Sequence, residues 1–216
     1  QMLFYLPLSG SAFKKVYYDS VMGRAVSKFV PADDLVVPYT ATSLEDADAI
    51  IHTIKISENE LRKQQVGGFY RDIELNPAYV NESETDKKER ELDGTRKGKD
   101  EKMYSLLECH VNLDIDGFND VNAEGEPTGI KLPYIVTIEE ASKEVLSIRR
   151  NYEIGDVTKS KISYFVHFKF LPGLGFYGFG LIHMIGGLSR TATSALRSLL
   201  DAGTLSNLPA GFKMRG

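Results

Sequence analysis

Gly173, Gly175 and Gly178 spell G-x-G-x-x-G behind a stretch that reads as a strand, the spacing by which a dinucleotide-binding turn brings its backbone against a pyrophosphate. That chemistry needs a βαβ unit and an acidic ribose partner downstream. Here the intervening Leu174, Phe176 and Tyr177 are bulky, the preceding pattern is antiparallel, and no such unit follows, so the glycines read as backbone geometry. Asp120, Asn122, Glu124 and Gly125 fall at EF-hand-like spacing, but the twelfth loop position is Lys131, where a bidentate Glu is required, and strands flank it. The four histidines lack acids spaced along the chain to orient them, and His110 and His167 sit in separate strands without a Cys/His cluster. Cys109 has no evident base and reads as a small core residue; as the only cysteine it excludes an internal disulfide framework and fits a reducing compartment. No phosphate loop with lysine exists. The residues therefore imply no catalytic, cofactor or metal site, and the expectation is a protein that is not an enzyme.

What must be positioned instead is backbone and surface. The 216 residues, 42% hydrophobic and 26% charged, suffice for one large domain or two small ones. A net charge of -4 argues against tight nucleic-acid binding through broad phosphate neutralisation. The chain begins at Gln1 without a basic n-region and long apolar run, so no signal peptide is read, and both ends read as those of a fragment.

Taken in order, residues 1–76 read as a β-rich part with a short helix at 57–67. Val16 to Tyr18 and Ala25 to Phe29 predict a hairpin in which Gly23 supplies a turn position with φ above zero. Strict alternation in AIIHTIKI predicts a strand with Ile50, His52, Ile54 and Ile56 on one face. His52 reads as a packed histidine. Ser57 and Glu60 make a capping box, Gly67-Gly68 stop the helix, and RDIEL at 71–75 reads as the next strand. Residues 77–102 mix acids and bases with few apolar anchors and predict a mobile charged loop. Residues 103–170 predict an antiparallel meander.

Residues 171–208 predict a glycine-rich bend followed by a long helix. Phe170 to Leu188 lacks charge and is about as long as a bilayer span, which opens a membrane-active or pore-forming reading, although Pro172 and six glycines oppose it. Against that stands a soluble amphipathic helix: Leu181, Ile185, Leu188, Ala192, Ala195 or Leu196, and Leu199 share a stripe, with Arg190, Arg197 and Asp201 off it and Gly203 as the stop. Small residues around the stripe suit another subunit or an ordinary core equally well. The fold class expected is α+β, an antiparallel β-rich domain leading through a glycine-rich bend into a long helix.

The segments at 30–75, EGEPTGIKLPYIVTI at 124–138, VLSIRRNY at 145–152 and YFVHFKFLPGLGFYGFGLIHMIGGLSRTATSALRSLLDAGTLSNLPAGFKMRG at 164–216 resemble the portal protein of tailed double-stranded-DNA bacteriophages, of the short-tailed type. The resemblance covers more than half of the chain. It implies a homo-oligomeric ring, dodecameric in the virion, at one capsid vertex, assembled in the host cytoplasm and traversed by DNA during packaging and ejection. It implies as partners other copies of the chain, the terminase large subunit, a tail adaptor, and capsid and scaffolding proteins, with double-stranded DNA passing without tight binding, and no cofactor or membrane. By that likeness residues 1–170 are wing, 171–208 carry the bend and stem helix, and 209–216 lead into the clip. Arg190, Arg197, Lys213 and Arg215 are then the cations that face subunit neighbours or passing phosphates, and Gly173, Gly175, Gly178 and Gly180 the hinge.

Overall fold

Nine residues of alternating character set the axis of the larger of two compact units, residues 14–166. The structure, a computed structural model, describes residues 1–19, 23–75, 88, 91, 94, 103–122 and 124–207. Strand β4 (Ala49–Ser57) pairs antiparallel with β5 (Met103–Leu113), β5 with β6 (Leu132–Glu139), β6 with β7 (Val145–Arg150), and the two-residue β3 (Leu35–Val36) lies outside β4. The result is a five-stranded sheet ordered β3-β4-β5-β6-β7.

Register decides which residues share a face. Ile54 opposes Leu106 and Ile56 opposes Tyr104, so one face gathers Tyr104, Leu106 and Leu146 with Leu61 of helix α2 (Glu58–Val66) and Tyr70. The other face carries Leu132, Tyr134 and Val136, with half-buried Cys109 packed beside them. The core is thus split over two faces of one sheet, as alternation on both requires.

Helix α2 begins where the sequence places it: Ser57 is extended at φ -75° and its hydroxyl accepts from the Glu60 amide at 3.4 Å. It ends at Gly67, and Gly68 has φ 71°. The strand expected at 71–75 is absent. That segment is extended but makes one backbone bond to β7, from Arg71 N to Leu146 O at 2.9 Å, and the side-chain amide of buried Gln65 donates to Arg71 O and Ile73 O instead. A glutamine replaces the missing ladder.

Strands β1 (Ser11–Asp19), β2 (Arg24–Val30) and β8 (Phe165–Lys169) form a second sheet, ordered β2-β1-β8. The hairpin turn has Gly23 at φ 61°, as its sequence predicts. The meander expected up to residue 170 runs only through β7; β8 joins β1. The boundary between the two units falls inside β1 and inside β8.

Lys15 of β1 closes the larger unit. Its ammonium donates to both carboxylate oxygens of Glu108 at 2.6 Å, and His110 Nε2 lies 2.8 Å from Glu108 Oε1. Burial alone would raise the Glu108 carboxyl, but the His110 hydrogen bond and the Lys15 charge hold it down at about 2. An ionised carboxylate only accepts, so His110 Nε2 carries the proton. His52 sits opposite Glu108 in the β4–β5 register, and its ring and that of His110 both meet Phe165 edge-on, at 5.5 and 5.2 Å. Burial, with Lys15 nearby, lowers His52 to about 4. Chain spacing hides this grouping: the acid that serves His110, two residues away, also faces His52 across the strands.

The smaller unit comprises residues 1–13 and 167–216. Residues 2–9 form helix α1 (Met2–Ser9), although the apolar run and internal Pro7 disguise it in sequence; Gly10 ends it at φ 88° and donates to Leu6 O. Helix α3 (Leu181–Asn207) is the longest element, and Gly203 does not stop it. An internal glycine weakens an α-helix by about 1 kcal/mol without ending it.

Both depressed groups of the larger unit lose stability on acidification. A lowered histidine binds protons mainly when unfolded, so the His52 contribution is complete above about pH 6.5 and lost as pH falls to about 4; the Glu108 contribution is complete above about 4.5 and lost towards about 2. Replacing His52 with Phe is expected to flatten the pH dependence of thermal unfolding between about 6.5 and 4. Glu108→Gln leaves the Lys15 ammonium without its counter-charge and is expected to cost on the order of 3 kcal/mol in urea unfolding at neutral pH.

Candidate functional site

Helix α3 meets α1 but is otherwise largely exposed. None of its 27 residues is buried. Leu181, Ile185, Leu188, Ala192, Leu196 and Leu199 make one continuous stripe, while Arg190, Arg197 and Asp201 occupy the opposite face. Leu188 is 73% exposed and Leu199 71%. Covering each such leucine is worth about 1.5–3 kcal/mol, and a contiguous apolar face of this kind marks a contact surface. Thr191, Thr193 and Thr204 turn their hydroxyls to the carbonyls four residues back, which hides polar atoms along the helix.

Three glycines fix how the chain reaches this helix. A Cβ at Gly180 would overlap the Leu8 carbonyl oxygen, one at Gly10 would overlap the Gly180 amide, and one at Gly178 would come within 2.5 Å of Gly10 O. Residues 8–10, at the end of α1, therefore cross residues 178–180 backbone against backbone. Buried Ser11 bonds the crossing: its hydroxyl accepts from Gly178 N at 2.8 Å and lies 3.2 Å from His167 Nε2. Phe13 stacks on His167 at 4.4 Å, and His167 on Phe176 at 4.8 Å. Burial, with Lys169 adding its charge, lowers His167 to about 4, so the ring stacks neutral. Gly180 N donates to His183 Nδ1 at 3.1 Å, a reciprocal cap that starts α3.

Of the four glycines marked in the sequence, Gly178 and Gly180 are buried in the crossing, Gly173 has Tyr177 O and the Phe179 ring within 3.0 Å of an added Cβ, and Gly175 has nothing within 4 Å. None has a positive φ. Gly10 and Ser11 were not singled out by pattern; the Ser9-Gly10 pair behind an apolar run was the available signal, and its partner lies some 170 residues away. Arg190 and Arg197 are exposed on α3, whereas Lys213 and Arg215 lie outside the described residues, as do nearly all of the charged loop at 77–102 and the segment 209–216.

The chemical candidates find other employment. Asp120 takes Thr128 Oγ1 at 2.7 Å and pairs with Lys159. Burial raises the Cys109 thiol. Among the described residues no group of three His, Cys, Asp or Glu is placed to hold a metal, and no helix is long and apolar enough to cross a membrane. The uncharged stretch at 170–188 is helical only from Leu181 onward.

Among curated proteins none matches the chain. The sequence profile of the phage SU10 portal protein family matches residues 13–214. The chain belongs to that family. The matched span takes in the five-stranded sheet, the second sheet from Phe13 onward, residues 178–180 of the crossing and all of α3. Phage portal proteins are structural components of the virion, not an enzyme family.

If the crossing rather than local flexibility sets the path into α3, Gly180→Ala is expected to destabilise the chain by about 2–3 kcal/mol through overpacking. Gly175→Ala, entering open space, is expected to leave thermal unfolding unchanged or slightly improved. Equal effects of the two substitutions would refute the crossing.

Proposed function

We propose that the chain is a subunit portion of a portal ring, a head-to-tail connector at one capsid vertex through which DNA is packaged by terminase and later ejected. The family match over residues 13–214 carries this reading, and the exposed stripe of α3 supports it. Residues 1–76 and 103–170 supply wing, 171–208 the bend and stem helix, and 209–216 the way into the clip. Copies of α3 lie side by side, their small residues Gly186, Gly187, Ser189, Ala192 and Ala195 allowing close approach and their leucines leaving water together. The ring is dodecameric and meets capsid and scaffolding proteins, the terminase large subunit and a tail adaptor.

A conduit works only if the duplex slides. The mildly acidic composition suits this, because few clustered cations mean little counterion release and weak retention of DNA. Arg190, Arg197, Lys213 and Arg215 touch neighbouring subunits or passing phosphates, and the chain has no enzymatic step of its own. Gly173, Gly175, Gly178 and Gly180 let the wing turn into the stem.

Electron microscopy of the full-length protein is expected to show rings with a central channel. Gly178→Val with Gly180→Val is expected to abolish those rings while leaving the β-sheet signal in circular dichroism. Neutralising Arg190, Arg197, Lys213 and Arg215 together is expected to impair assembly, packaging or ejection; full activity of that variant removes their assigned role. Leakage of lipid vesicles on addition of the chain, without ring formation, would favour the membrane-active alternative.

A further inference from the structure

Helix α3 starts behind a glycine, so no side chain at its cap position takes up the amides that a helix N-terminus leaves over. Gly180 precedes Leu181, and its carbonyl accepts from the His183 and Met184 amides at 3.1 and 3.3 Å. Its own amide donates to the His183 ring, with Nδ1 as acceptor at 3.1 Å. His183 thus stands at the third helical position, where a capping box ordinarily places a glutamate or glutamine that reaches back to the same amide. The Phe179 ring meets the imidazole edge-on at 5.9 Å. A ring nitrogen that accepts from an amide holds a lone pair, so the neutral ring carries its proton on Nε2.

Glutamine and imidazole differ in what acid does to them at this place. Histidine is the side chain that changes charge between about pH 5 and 8, and protonation turns Nδ1 from an acceptor into a donor. An imidazolium would meet the Gly180 amide donor to donor. It would also set a positive charge at the positive end of a 27-residue helix. Within its own unit nothing close by offsets that charge. Residues 1–13 and 167–216 contain a single acid, Asp201, 18 positions and roughly 27 Å along the helix from His183. The segments that meet at the joint bring no counter-charge: α1 has no charged side chain and Tyr5 as its one titratable group, the bend at 170–180 has only Tyr177, β8 brings His167 and Lys169, and the first charge of α3 is Arg190. His183 is exposed, so a proton reaches it without any opening of the fold.

We propose that His183 is an acid-sensitive catch: its protonation releases the first turn of α3 from Gly180 and loosens the joint between the backbone crossing and the long helix. The crossing itself stays closed. Its own bond, from Gly178 N to Ser11 Oγ, has His167 as its one titratable neighbour, and burial lowers that ring to about 4. The cap is therefore intact while His183 is neutral and is lost as the ring takes up a proton. The inference stands on this joint alone and does not depend on ring formation.

The test follows the 216-residue chain by NMR at about pH 8 and about pH 5.5, both above the region near 4 in which His52 and His167 take up protons. At the higher pH the ring nitrogen shifts of His183 are expected to show the Nε2–H tautomer, and the Gly180 amide to be protected from hydrogen exchange. At the lower pH that protection, corrected for the intrinsic exchange rate, is expected to fall about tenfold, while the Gly178 amide, held by Ser11, keeps its own. His183→Gln supplies an acceptor that does not titrate and is expected to hold the Gly180 protection at both pH values. His183→Ala is expected to show the low value at both. Three results overturn the proposal: an Nδ1–H tautomer at the higher pH, Gly180 protection in the native chain that does not change with pH, or an acid-induced loss that survives in His183→Gln, which assigns the titration to another group.

Discussion

Two stretches of backbone cannot approach to contact distance if either carries a Cβ between them, and the smaller unit is arranged around one such approach. Residues 8–10 and 178–180 meet with glycine at the three positions where a side chain would collide. The Ser11 hydroxyl bonds the Gly178 amide there, and the Phe13, His167 and Phe176 rings close over it. Gly180 is also the residue whose amide is taken by His183 at the start of α3. The crossing and the helix start therefore share a residue, so the direction in which α3 leaves is set by a steric condition and one capping bond.

The larger unit answers to a different constraint. One buried charge is closely matched: Lys15 and Glu108 are each about 15% exposed at the side chain, and His110 supplies a further hydrogen bond to the same carboxylate. Such a group rarely adds much net stability over apolar packing, but it penalises every arrangement that separates its members. Lys15 on β1 and Glu108 on β5 are 93 positions apart in the chain, so the penalty selects one way of seating the small hairpin on the five-stranded sheet. The aromatic contacts of His52 and His110 with Phe165 act at the same place.

For a portal-family chain, these two constraints divide the work. The β unit needs a rigid body, which its two-faced core and buried charges supply. Helix α3 is the opposite, a long element whose apolar stripe is exposed. The residues that suggested chemistry in sequence are engaged within the fold: Asp120 with Thr128 and Lys159, His167 in a ring stack, and Gly178 and Gly180 in a backbone contact.

Local pattern was sufficient for features whose cause is local. Alternation determined β4 and its faces, Ser57 with Glu60 determined the start of α2, Gly23 the hairpin turn, and helical periodicity the stripe of α3 with its charges opposite. Each depends on neighbours within a few residues, which periodicity and turn chemistry encode. Tertiary structure decided what depends on distant partners: that β8 leaves the meander for β1, that residues 71–75 are held by a glutamine side chain instead of a ladder, that Glu108, bonded to His110, is drawn to Lys15 and set opposite His52, and that Gly178 and Gly180 are small because the end of α1 passes over them. Even α1 was hidden, since Pro7 argues against a helix that Gly10 and the crossing nevertheless complete. Sequence spacing records contacts made by neighbours along the chain; a steric demand imposed by a segment some 170 residues away leaves only a glycine as its trace.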